Sequence, residues 1–96
     1  MKLILIAYNE AIDEEVMATL TTLSVERYTK WTKVHGKGRT SEPHLLSHVW
    51  PKANNVLAVC VADEAAAELM QAVRELRKRL GREGVKAFSV PVAECT

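Results

Sequence analysis

Cysteine is scarce in this sequence. It occurs only at Cys60, inside an apolar run, and at Cys95, close to the last residue. Two cysteines so far apart form neither a paired metal or redox motif nor the framework of several disulfides that stabilises many small secreted domains. The sequence therefore favours a reducing compartment, and we predict a cytoplasmic protein.

Long apolar runs are also missing. No stretch approaches the roughly 20 apolar residues that a membrane span requires, so we expect no membrane insertion. The first apolar stretch, residues 3–8, is shorter than the core of a signal peptide and leads directly into polar Asn9 and Glu10. A β-strand that remains in the protein is the better interpretation.

Neither sign of charge dominates. The chain has 13 lysines and arginines against 12 aspartates and glutamates, a formal net charge of +1. No overall field attracts the protein to nucleic acid, and we expect no nucleic-acid partner. The basic residues between positions 74 and 82 are offset by Glu68, Glu75 and Glu83, which is typical of a solvated helix face.

The order of periodic segments predicts the fold of a single domain, residues 1–96. Short apolar or β-branched segments indicate strands, and apolar spacings of three and four indicate helices. The predicted strands are 3–8, 28–34, 56–62 and 85–92, and the predicted helices are 11–23 and 63–80, with Asn9 and Asp63 as caps and Gly81 as the stop. This β-α-β-β-α-β order predicts an α+β ferredoxin-like fold, a four-stranded antiparallel sheet with two helices on one face.

The predicted third strand is apolar at every position. Val56, Ala58 and Cys60 lie on one face, and the apolar residues between them lie on the other. A central strand of a monomeric sheet can show this pattern over a few residues, but an apolar second face of this extent favours burial against another subunit. We therefore expect an oligomer.

Residues 35–55 interrupt the periodic pattern. They hold two glycines, two prolines and all three histidines, with few consecutive apolar residues. Loops longer than about 12–15 residues are uncommon in compact domains and are usually functional or disordered. We expect this loop to carry the function.

Three segments resemble the nitrogen regulatory PII proteins and their PII-like and CutA relatives. Residues 84–92 resemble the final strand of that family, and Trp50, Pro51 and Lys52 precede the third strand as they do there. Residues 34–39 resemble the entry to the family's T-loop; they are Val34, His35, Gly36, Lys37, Gly38 and Arg39. Thr40 stands where the family has glutamine, and the loop has no tyrosine that can be modified, so nitrogen signalling itself is not expected.

The resemblance implies a homotrimer whose sheets face inward. Ligands would bind in the clefts between neighbouring subunits, where the long loop meets the segment before the last strand, and adenine nucleotides are the usual ligands. The candidate ligand-binding residues are Gly36, Lys37, Gly38, Arg39, Gly84 and Lys86. Glycine N–H groups allow close approach of an anion and the cations add charge-assisted hydrogen bonds, although two glycines also suit a plain strand exit.

The loop also holds a possible metal site. A short helix between Pro43 and Pro51 would place His44 and His48 on one face, at a spacing that can share zinc, copper or nickel. A complete tetrahedral set is missing, and the apolar residues around these histidines equally suit an anchor that packs the loop on a neighbour. A metal-binding trimer related to CutA is therefore the alternative function.

Nucleophilic catalysis is not indicated. No ordered set of Ser, His and Asp or of Cys and His can be placed, so we predict that the protein is not an enzyme, and no particular cofactor is indicated. Three functions remain open. They are a regulator that senses a small anionic ligand and engages a protein partner, the metal-binding trimer, and an oligomeric interaction module without a small ligand.

Overall fold

The computed structural model describes residues 1–36, 53–80 and 84–96. The elements are β1 Lys2–Asn9, a 3₁₀ turn Glu10–Ile12, α1 Asp13–Thr22, β2 Thr29–Val34, β3 Asn54–Val61, α2 Asp63–Leu80 and β4 Val85–Pro91. The paired strands are antiparallel, and the sheet order is β2-β3-β1-β4 with the helices α1 and α2 in the connections. The predicted ferredoxin-like fold is confirmed.

The core lies between one face of the sheet and the two helices. Alternate residues of the central strands are fully buried there, for example Ile4 and Ile6 of β1 and Leu57 and Val59 of β3. The helices contribute residues at spacings of three and four, the period that places them on one helical face. These helical residues are Val16 and Leu20 of α1 and Ala66, Leu69, Val73 and Leu76 of α2.

Two details differ from the sequence-based expectation. The strand β3 begins at Asn54 rather than Val56, because Asn54 extends the ladder by pairing with Val34 on one side and Asn9 on the other. Asp63 is the first residue of α2 rather than its cap, since Ala62 O accepts the first hydrogen bond of the helix. Asn9 does cap the turn that follows it, accepting from Ala11 N at 2.8 Å.

Neither α1 nor α2 covers the second face of the sheet. We call it the open face, and its apolar residues are partly or well exposed in the single chain. Trp31, Phe88 and Val90 are 49%, 51% and 40% exposed. The strand registers place on this face Leu3, Leu5 and Ala7 of β1, Trp31 of β2, Val56, Ala58 and Cys60 of β3, and Lys86, Phe88 and Val90 of β4.

Across the described residues, no helix combines the length and the apolar character needed to cross a membrane.

Candidate functional site

Both glycine-containing connections lie at one end of the sheet, which we call the loop end. β1 and β2 finish here, and β3 and β4 start here. Backbone hydrogen bonds tie the strands together at this end, from Asn9 N to Gly84 O at 3.0 Å and from Glu10 N to Ala53 O at 3.1 Å. Gly36 and Gly84, which flank the two connections, therefore lie at the same end of the sheet.

Gly36 follows β2 and touches the start of β3. A Cβ atom at this position would lie 2.7 Å from Asn54 Nδ2, closer than atoms of this kind approach each other. The absence of a side chain therefore lets the Asn54 amide lie across the backbone just before residue 37. Gly36 has a structural reason to be glycine in the single chain.

Gly84 and Lys86 lie at the opposite edge of the sheet. A Cβ atom on Gly84 would have no neighbour within 4 Å among the described residues. Lys86 is exposed on the open face, opposite Ala7 of β1, and forms no ion pair with any described residue. No contact with a described residue therefore requires glycine at position 84. Lys86 is a cation that can pair with an external anion.

Gly36 and Gly84, described residues of the two halves of the predicted site, lie at opposite edges of the sheet. Gly36 follows the edge strand β2, and Gly84 precedes the other edge strand, β4. Three spacings of about 4.8 Å separate these edges, so the halves are about 14 Å apart. The other candidates, Lys37, Gly38, Arg39, His44 and His48, lie outside the described residues.

A polar cluster beside the loop end was not predicted from the sequence. A single oxygen, Asp13 Oδ1, accepts from Tyr8 Oη at 2.5 Å and Asn55 Nδ2 at 3.2 Å, and it lies 2.7 Å from Lys30 Nζ. We call these four residues the Asp13 cluster. Lys30 could have been noted as a cation within a strand, but no spacing in the sequence identifies its partner carboxylate.

The cluster shifts the pKa of two of its groups. Burial by itself raises the pKa of the Asp13 carboxyl, but hydrogen bonds from Lys30 and Tyr8, with the charge of Lys30, outweigh burial and lower this pKa below its usual value. Burial, and next the hydrogen bond to Asp13, raises the pKa of the Tyr8 hydroxyl well above its usual value. At neutral pH Asp13 is a carboxylate and Tyr8 is a protonated donor.

Metal-ligating side chains do not converge in the part of the chain that the structure describes. No group of three or more His, Cys, Asp or Glu side chains there could hold a metal ion. The predicted metal residues His44 and His48 lie outside that part.

Substitution of Gly84 tests whether its lack of a side chain matters to the single chain. We expect Gly84→Ala to change the free energy of unfolding by no more than about 0.5 kcal/mol, since the added methyl group meets open space. Urea unfolding followed by circular dichroism measures this change. A loss of several times that amount would show a packing role for Gly84 in the native assembly.

The chain matches known proteins in family and in fold. Residues 1–96 match the family model of the nitrogen regulatory protein P-II. A PII-like signalling protein from Thermus thermophilus has a similar fold, with a TM-score of 0.65, 20% identity, and coverage of 92% of this chain and 82% of that one. A comparison with curated proteins gives no match.

CPII, a nitrogen regulatory PII-like protein from Thiomonas intermedia, is also similar. Its complex with ADP, AMP and acetate gives a TM-score of 0.70 at 18% identity, covering 93% of this chain and 82% of that one. Its complex with ADP, AMP and bicarbonate gives 0.66 at 20%, covering 99% and 94%. At these identities the structures establish the fold alone, and none of the matches supports the metal-binding alternative.

Because the family model matches from the first residue to the last, the chain belongs to the nitrogen regulatory protein P-II family and is a PII-like signalling protein.

Proposed function

We propose that this protein is a cytoplasmic homotrimer that senses an adenine nucleotide or another small anionic ligand in the clefts between its subunits. The segment 37–52 then carries the signal to a regulated protein by direct contact, without catalysis. The observation that carries this proposal is the position of Gly36 and Gly84 at one end but at opposite edges of the sheet.

The open face supports assembly of several subunits. An apolar surface that crosses β1, β3 and β4 is unusual on a monomer, because contiguous exposed apolar patches mark interfaces. The helices cover the other face, so association through the open face leaves α1 and α2 outside. This matches the inward-facing sheets that the family resemblance implies.

The separation of the two half-sites supports a ligand position between subunits. A site built from Gly36 and Lys86 of one chain would have to bridge about 14 Å across the sheet. When sheets associate side by side, the β2 edge of one subunit can approach the β4 edge of the next. Each cleft would then combine Gly36 of one chain with Gly84 and Lys86 of its neighbour.

The chemistry of these residues suits an anion. Lys86 has no acidic partner among the described residues, and backbone N–H groups beside glycines can approach phosphate oxygens closely. Lys37 and Arg39 add two cations to the same connection in the sequence. The CPII complexes contain ADP with AMP and either acetate or bicarbonate, which makes phosphate and carboxylate groups the first ligands to test.

Light scattering combined with thermal unfolding tests the proposal. Samples contain ATP, ADP, AMP, bicarbonate or zinc, and Lys86→Gln is compared with Lys78→Gln on the outer face of α2. A ligand at one hundred times its Kd stabilises the native state by about 2.7 kcal/mol. We expect a trimer stabilised by a nucleotide, with the gain reduced in Lys86→Gln and kept in Lys78→Gln.

Other outcomes contradict specific parts of the proposal. Stabilisation by zinc alone would favour a site at His44 and His48 instead. A trimer that no ligand stabilises would favour the interaction module. A monomer would contradict the assignment of the open face to an interface.

A further inference from the structure

The edge strand β2 is attached to the rest of the domain in an unusual way. It contributes no buried residue to the core, and Trp31 is exposed on the open face. Two ion pairs connect it to the start of α1 and the turn before it, Lys30 Nζ to Asp13 Oδ1 at 2.7 Å and Lys33 Nζ to Glu10 Oε2 at 3.1 Å. Polar contacts therefore replace the apolar anchor that β2 lacks.

Lys30 is the residue of β2 that faces the helices. It pairs with Leu57, and the same row of the sheet continues through Ile6 to Ala87, so all its neighbours in the row are apolar. The Lys30 side chain is only 24% exposed. An ammonium group in this position requires a counter-charge, and Asp13 supplies it.

Asp13 joins β2 to the other strands at the loop end. Its Oδ1 atom accepts from Tyr8 of β1 and Asn55 of β3 as well as contacting Lys30 of β2. Asn55 directly follows Asn54, whose amide lies across Gly36. One carboxylate oxygen thus links β2 and β3, the two strands that flank the segment 37–52, to β1, which lies between β3 and β4.

This arrangement is not the one that would maximise stability. Asn55 is 5% exposed, and its Oδ1 atom has no hydrogen-bond partner within the described structure. Leaving a buried acceptor unpaired is unfavourable, and an apolar residue at position 30 would anchor β2 without a counter-charge. The contacts of the Asp13 cluster therefore define the positions of the strands at the loop end at some cost in stability.

We infer that Asp13 is a positioning residue, which holds β2 and the start of β3 in place through Lys30 and Asn55 and thereby sets the geometry of Gly36 for ligand binding. The ligand part of this inference rests on the proposed function. The part that concerns the position of β2 does not rest on that function, because the contacts that hold this strand lie within one chain.

Hydrogen exchange of the full-length protein tests whether Asp13 holds β2 in place, and the measurement needs no ligand. Asp13→Asn keeps the shape of the side chain and removes the charge, and Glu14→Gln is the matched control on the exposed side of α1. We expect amide exchange in residues 29–34 to accelerate about tenfold or more in Asp13→Asn, since charge-assisted hydrogen bonds are lost. Exchange in α2 stays unchanged, and Glu14→Gln behaves as the wild type.

A double variant shows whether Asp13 acts through Lys30. If it does, Lys30→Gln and the combined Asp13→Asn, Lys30→Gln variant accelerate exchange in β2 by the same factor as Asp13→Asn alone. Factors that multiply in the double variant would overturn the inference. Unchanged exchange of β2 in Asp13→Asn would overturn it as well.

Calorimetry with ADP tests the consequence for the ligand. We expect about tenfold weaker ADP binding by Asp13→Asn at unchanged trimer mass, with Asp13→Glu recovering part of the affinity. Faster exchange with unchanged ADP affinity would contradict the positioning role. A wild type that binds no nucleotide would contradict the proposed function alone, because the exchange experiment needs no ligand.

Discussion

Replacing Phe88 with aspartate is expected to turn the proposed trimer into single chains. Phe88 lies on the open face opposite Leu5 and is 51% exposed in the single chain, so the proposed trimer would bury the rest of its ring. A carboxylate at this position would lose its hydration inside an apolar interface, at a cost of several kcal/mol in each subunit. Light scattering should report about 10.7 kDa in place of three times that mass.

A matched substitution on the other side of the molecule controls for the added charge. Ala67 is exposed on α2, and Ala67→Asp introduces the same carboxylate outside the sheet. This control should keep the mass of the wild type, and far-ultraviolet circular dichroism should show that both variants are folded. A trimeric Phe88→Asp protein would mean that subunits associate through another surface.

Loss of the trimer should also abolish ligand binding. Gly36 and Lys86 of a single chain stay about 14 Å apart, so a folded Phe88→Asp monomer retains both half-sites but no complete cleft. Because Phe88 lies two residues from Lys86 on the same face of β4, a Phe88→Asn monomer, which adds no charge beside Lys86, separates assembly from ligand chemistry. A monomer that binds ADP as well as the wild type does would show that one chain holds the whole site.

The fold could be predicted because local patterns determine it. The short apolar runs of β1 and β3 and the three-and-four spacing of α1 and α2 depend on residues close in sequence, and the β-α-β-β-α-β order leaves few arrangements. The apolar character of both faces of β3 also indicated the open face correctly. Element ends were less accurate, as Asn54 and Asp63 show, because a strand end depends on its neighbours in the sheet.

The details of the site depend on contacts distant in sequence, which periodicity does not encode. Lys30 and Asp13 are 17 positions apart, and their ion pair exists only because the register of β2 places Lys30 opposite Leu57. The contact of Gly36 with Asn54 likewise spans the whole long connection. Family resemblance pointed to both glycines, but it gave no reason to expect that a side chain at Gly36 would displace the Asn54 amide, whereas one at Gly84 meets no described neighbour.

That difference between the glycines has a consequence for the cleft. Within one chain, no neighbour excludes a side chain at Gly84, so a need for glycine there would come from outside the chain. A ligand phosphate approaching the backbone is one such source, and a neighbouring subunit is another. Gly84→Ala should therefore leave the domain intact while weakening the binding of a ligand that contacts this backbone.

Mixed trimers give the strongest test of a cleft shared between subunits. Gly36→Asp damages the half-site after β2, and Lys86→Glu damages the half-site on β4. Each variant alone should bind ADP about a hundredfold more weakly, because repulsion replaces charge-assisted hydrogen bonds worth about 1.5–3 kcal/mol. Co-expressed and purified as mixed trimers, they should recover wild-type affinity at one of the three clefts.

The recovery follows from the cyclic arrangement alone. In any mixed trimer, a single cleft joins the intact β2 connection of a Lys86→Glu chain to the intact β4 of a Gly36→Asp chain. Calorimetry should then find about one third of the wild-type stoichiometry at the wild-type Kd, while a mixture of separately assembled homotrimers finds none. If mixed trimers bind no better than the homotrimers, each site belongs to one chain. The ligand would then bridge Gly36 and Lys86 across the sheet of that chain and not across the boundary between two subunits.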